Sequence, residues 1–177
     1  FIKKNTDLGI SFGKKVGVVL PLSGENSEIP KAFLDGLLES NRISNSRNKI
    51  QFIVVDNYGS QVNTITAFNA LVENHNVSAI IGPFSDENLI SGANSISNIN
   101  IPIFSPFSTN SSLSMINENI YFLNSSINFK NELLVKHILD DLNLKNIAII
   151  APRSKDGILE VDSFLTSLDK QNKEPVF

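Results

Sequence analysis

Four segments of the chain place hydroxyls, turn-forming residues and acids directly after a short apolar run. They are Pro21-Leu22-Ser23-Gly24, Asp56-Asn57-Tyr58-Gly59-Ser60, Gly82-Pro83-Phe84-Ser85-Asp86 and Ser105-Pro106-Phe107-Ser108-Thr109-Asn110. Segments of this kind offer O–H groups and free backbone N–H groups, the donors that hold a small polar or anionic ligand. The same residue types cap helices and close turns. Taken singly, each segment reads as a cap or a turn. Gathered on one edge of a sheet, they would form a binding rim carrying Ser23, Tyr58, Ser85, Asp86, Ser108 and Thr109.

Covalent and redox chemistry lacks its residues. The 177 residues include no cysteine, which excludes thiolate nucleophiles, iron–sulfur clusters and the usual zinc sites. The two histidines, His75 and His137, are far apart in sequence. His75 reads as a helix C-terminal residue and His137 as part of an amphipathic helix, with Asp140-Asp141 on its solvated face. Gly82-Pro83-Phe84-Ser85 lacks the second glycine of a nucleophile elbow, and neither GxGxxG nor GxxxxGK[ST] occurs. The expectation is a protein that is not an enzyme, with no catalytic residue, no cofactor and no metal. A net charge of -3, from 15 basic and 18 acidic residues, speaks against nucleic acid as a partner. No apolar run approaches the ~20 residues of a membrane span. The opening Phe1-Ile2-Lys3-Lys4 is not a signal peptide, though a mature secreted chain looks the same after cleavage.

At 41% hydrophobic and 19% charged residues the composition is globular. Val16–Leu20, Ile50–Val55, Val77–Ile81, Ile101–Phe104 and Ile147–Ile150 are apolar runs suited to strands buried on both faces. Between them lie helical stripes at about 28–42, 60–74, 86–97, 128–143 and 158–168. The alternation predicts a doubly wound α/β fold with a parallel sheet. In such a sheet the ligand site lies at the carboxyl ends of the strands. The polar stretch 105–128, interrupted by Ile120-Tyr121-Phe122-Leu123, reads as the last strand of a first lobe and a crossing to a second. The expected domains are a leader or remnant at 1–13, a first lobe at 14–123, and the incomplete beginning of a second lobe at 124–177.

The segments KKVGVVLPLSG, IQFIVVDNYGSQVNTITAFNALVENHNVSAIIGPFS, IPIFSPFSTNSSL and YFLNSSINFKNELLVKHILDDLNLKNIAIIAP resemble, in this order, the type I periplasmic-binding-protein fold. The similarity is to the branched-chain amino-acid (Leu/Ile/Val-binding) receptors of ABC transporters and runs from about Lys14 to Phe177. It implies two α/β lobes with the ligand held between them. It further implies first-lobe contacts from Phe107 and Thr109, with Ser108 between. A serine after the Gly-Pro turn and an aromatic before a glycine would complete the amino-acid site. Here those positions carry Asp86, beside Ser85, and Asp156.

Two functions follow. One is an extracytoplasmic solute-binding protein that delivers a small polar ligand such as an amino acid to an ABC permease. The other is a lipoprotein regulator of the same fold that contacts a cell-wall synthase, as activators of peptidoglycan synthases do; the loss of the serine and the aromatic favours it. Both imply a periplasmic or extracellular protein, with a lipid anchor as one form. Asp86 is also expected to serve as a helix N-cap, freeing Ser85 to turn inward as a donor.

Overall fold

The structure, a computed structural model, describes residues 12–25, 27–44, 49–144 and 146–172. The chain forms two compact units, one ending at Asn124 and the other starting at Ser125.

The first unit is built on one sheet. Its strands are β1 (Phe12–Leu20), β2 (Lys49–Asp56), β3 (Ala79–Ile81), β4 (Ile103–Ser105) and β5 (Ile120–Phe122). All neighbours pair in parallel, in the order β2-β1-β3-β4-β5. The helices between them are α1 (Glu28–Ile43), α2 (Gln61–Glu73) and α3 (Asp86–Ser95). Crossing from β1 to β2 runs one way along the sheet, and from β2 through β3 to β5 the other. Right-handed crossovers therefore place α1 on one face and α2 with α3 on the other.

Side-chain alternation along the strands sorts the core onto these faces. Val19, Ile53, Ile80, Ile103 and Ile120 pack with Phe68 and Leu71 of α2 and with Leu89, Ala93 and Ile96 at α3. On β1, Val18 and Leu20 are fully buried toward the opposite face. The stripe of α1 is buried less than its sequence suggests. Phe33 and Leu37 are half-buried, whereas Ala32 and Leu38 are exposed. Residues 105–119 carry the chain from the carboxyl end of β4 back to the start of β5 through a 3-10 turn at Ser111–Met115.

β1 begins at Phe12, within the stretch read as a leader; residues 1–11 of that stretch lie outside the described residues. Lys14 and Lys15 continue the ladder below the apolar run, opposite Ile50 and Gln51. β3 begins two residues later than expected. Val77 N–H still bonds the α2 carbonyl of Leu71, and Ser78 N–H reaches Lys15 O.

The second unit contains α4 (Ile127–Lys136) and α5 (Lys155–Asp169), packed through Val135, Phe164 and Leu168. The expected helix to residue 143 loosens into a π turn at His137–Asp141, where His137 Nδ1 lies 2.7 Å from Asp141 Oδ2 in an exposed pair. The expected strand Ile147–Ile150 is corrected: no strand forms there. Its side chains alternate as a strand's would, with Ile147 and Ile149 half-buried and Ile150 99% exposed. Among the described residues this unit has no other strand to supply a ladder, so the backbone pattern cannot be satisfied.

Candidate functional site

All strands of the sheet point the same way, so the segments that leave β1, β2, β3 and β4 meet at one edge. The sheet order reverses between β1 and β3, and the crevice outside that point is where open α/β sheets bind ligands. Ser23, Tyr58, Ser85, Asp86, Phe107, Ser108 and Thr109 all belong to this rim.

Asp56, the last residue of β2, ties two of the exit loops together. Its carboxylate accepts from Leu22 N–H at 2.9 Å, from the Ser23 hydroxyl at 2.5 Å and from Tyr58 N–H at 2.9 Å. Tyr58 sits in the left-handed region at φ 52 and is 65% exposed. Beneath it, fully buried Asn57 donates to Thr64 Oγ1 at 2.8 Å and accepts from Gly59 N–H at 3.1 Å. Burial pushes the Asp56 carboxyl up, but hydrogen bonds from the Ser23 hydroxyl and from the N–H groups of Tyr58, Leu22 and Ser23 outweigh it and hold the pKa below the usual carboxylate range.

A carboxyl lowered on folding stabilises the native state above its unfolded value of ~4, and this stabilisation fades as pH falls through the folded value. Asp56→Asn is therefore expected to lower stability by about 1–2 kcal/mol at neutral pH, the worth of charge-assisted bonds at a partly exposed site. Urea unfolding at pH 7 and pH 3 checks this: the gap should narrow at pH 3, and an undiminished gap would contradict it.

The loop after β3 corrects one expectation. The N-cap of α3 is Ser85, whose Oγ accepts from Asn88 N–H at 3.4 Å, and Asp86 is the first helical residue. The serine at β-region φ and ψ has the N-cap geometry, while the Asp86 charge still meets the positive helix end from the first turn. Ser85 therefore spends its acceptor on the cap but keeps its O–H to donate.

The loop after β4 is partly buried. Ser108 accepts from Asn110 N–H at 3.2 Å, and the half-buried Thr109 hydroxyl has no partner among the described residues. The ring of Phe107 lies 4.6 Å from that of Phe84 and 5.1 Å from that of Phe33 on α1, so three elements share one aromatic cluster. Asn88 Oδ1 in the first turn of α3 and Ser105 Oγ at the end of β4 are buried and have no hydrogen-bond partner among the described residues. Asp156 belongs to the second unit, where it is exposed in the first turn of α5 behind the Ser154 cap.

Asp56 and the Phe33–Phe84–Phe107 cluster were not singled out from sequence. The cluster had a signal. Pro-Phe-Ser occurs twice, at 83–85 and 106–108, each time just beyond a strand exit. Asp56 had none, because its role depends on the pairing of β1 with β2.

Three solved structures share the fold. A putative branched-chain amino acid ABC transporter protein from Rhodospirillum rubrum superposes with TM-score 0.81 at 16% identity, over 94% of this chain and 49% of that one. The branched-chain amino acid transporter substrate-binding protein LivJ from Streptococcus pneumoniae, solved with isoleucine, gives 0.68 at 18%, over 93% and 47%. A solute-binding protein of an ABC transporter from R. palustris, solved with 4-hydroxybenzoate, gives 0.71 at 18%, over 92% and 45%. The chain thus spans about half the length of these structures, and the fold is that of the type I periplasmic binding proteins. No curated protein matches the sequence. The family model described as the receptor family ligand binding region matches residues 38–175, and the chain belongs to that family.

Proposed function

We propose that the first unit is the ligand-holding lobe of an extracytoplasmic solute-binding protein of the ABC-transporter type, taking a small polar ligand such as an amino acid. The observation that carries this reading is the convergence of four strand-exit loops at the β1/β3 switch point, with the Thr109 hydroxyl and the Ser85 O–H, both without an acceptor among the described residues, and the aromatic cluster on one rim. Polar donors beside an apolar wall are the usual make-up of a small-molecule site. Ser23, Tyr58, Ser85, Asp86, Phe107, Ser108 and Thr109 are the proposed contacts, and Asp156 is the position proposed from the second lobe. A periplasmic or extracellular location and an ABC permease as downstream partner belong to the same proposal. Among the described residues no helix is long and apolar enough to cross a membrane.

Thermal-shift screening of the full-length protein against amino acids and small organic acids and amines tests it. A saturable rise in midpoint with at least one compound is expected. No response across the panel would contradict it and would leave the second reading, a lipid-anchored regulator that contacts a cell-wall synthase. That reading draws on one feature: Asp86 and Asp156 stand where amino-acid receptors resembling this chain carry a hydroxyl and an aromatic.

A further inference from the structure

Charge is distributed unevenly over the first unit. Lys14, Lys15 and Lys49 lie at the amino ends of β1 and β2, and two of them point into carbonyls there: Lys15 Nζ donates to His75 O, and Lys49 Nζ to Asn41 O. At the carboxyl end the balance inverts. The exit segments 21–25, 56–60, 82–87 and 105–110 contain no lysine or arginine, but they hold Glu25, Asp56, Asp86 and Glu87. The first turn of α1, at the same edge, adds Glu28 and Lys31, whose ammonium donates to Ser27 Oγ at 3.0 Å. In the first turn of α3 the buried Asn88 Oδ1 is a further acceptor without a donor among the described residues. The Phe33, Phe84 and Phe107 rings stand at this edge.

We infer that the ligand presents an organic cation to this lobe, an ammonium on an apolar body seated against the phenylalanine cluster, and not a carboxylate. The inference rests on the small-molecule reading above and names the charge class that the site selects. Two physical effects support it. Carboxylates gathered at one edge attract a cation and repel an anion by the same Coulomb term. Aromatic faces attract cations and offer nothing comparable to anions. Asp86 carries most of the discrimination. The Asp56 carboxylate is already engaged by Leu22, Ser23 and Tyr58, whereas that of Asp86 accepts no hydrogen bond among the described residues.

The test uses two probes of similar shape and opposite charge, phenethylammonium and 3-phenylpropionate, titrated calorimetrically into the full-length protein at low ionic strength. Phenethylammonium is expected to bind at least about tenfold more tightly. In Asp86→Asn that preference is expected to fall roughly fivefold, with an unchanged circular-dichroism spectrum showing an intact fold; raising the salt should erode it in the parent protein too. Equal or tighter binding of 3-phenylpropionate would overturn the cation assignment while leaving a small-molecule site in place. An unchanged preference in Asp86→Asn would likewise overturn it. Failure of both probes at millimolar concentration would also overturn the cation assignment, whereas the small-molecule reading falls only if the wider thermal-shift panel gives no response.

Discussion

Gly82→Ala is expected to lower the stability of the first unit by about 3 kcal/mol or more. Gly82 leaves β3 at φ 103, a conformation that L side chains rarely adopt. Strained backbone of this kind costs on the order of 1–3 kcal/mol by itself. The space is closed as well: a Cβ at this position would lie 2.1 Å from the Val19 carbonyl oxygen. That neighbour belongs to β1, whose carbonyls take part in the central ladder, so it cannot swing away cheaply. The Gly82 N–H is meanwhile held by Phe104 O at 2.9 Å, which pins the residue to β4 as well. Chemical denaturation checks the result. A loss under 1 kcal/mol would mean that the β3 exit is not built as described. The site would also suffer, because Gly82 sets the direction of the loop that carries Phe84, Ser85 and Asp86.

Phe68→Ala is expected to cost about 3–5 kcal/mol, the range for deleting a buried ring. Phe68 is fully buried between the sheet and α3. Its ring occupies the space that a side chain at Gly92 would need, since a Cβ there would lie 2.9 Å from the ring carbons. α2 and α3 therefore approach through a large residue on one and none on the other, and alanine would leave a cavity at their contact. Urea unfolding measures the loss, and a value near 1 kcal/mol would show that α2 and α3 pack loosely.

The fold of the first unit was legible because its first three strands are short Val- and Ile-rich runs, each followed by a helical stripe. What the residues could not show is where hydrogen bonding outlasts hydrophobicity. Lys14 and Lys15 extend β1 because Ile50 and Gln51 lie opposite, a fact of pairing and not of composition. The run at 147–150 is the converse case. Its side chains alternate correctly, but a strand is a property of two chains side by side, and no second one is at hand among the described residues.

The candidate site divides the same way. That the loops after β1 to β4 share an edge follows from parallel order, which the apolar runs imply. The Pro-Phe-Ser repeat hinted at the aromatic cluster, although the meeting of Phe33 with Phe107 needed α1 in place. The assignment of the α3 cap to Ser85 turned on one residue of helix boundary, and patterns of this kind do not resolve that. Asp56 looked like one polar residue among several in its loop; its donors come from the loop after β1 and from its own turn.

The central claim is that the carboxyl edge of the parallel sheet in the first unit holds a small molecule. Hydrogen–deuterium exchange of the full-length protein, with and without a compound that raises its melting midpoint, tests this most directly. Protection is expected in peptides covering 21–25, 56–60, 82–88 and 105–110. Protection confined to the opposite edge, around Lys14, Lys15, His75 and Lys49, or absent from the first unit altogether, would contradict it.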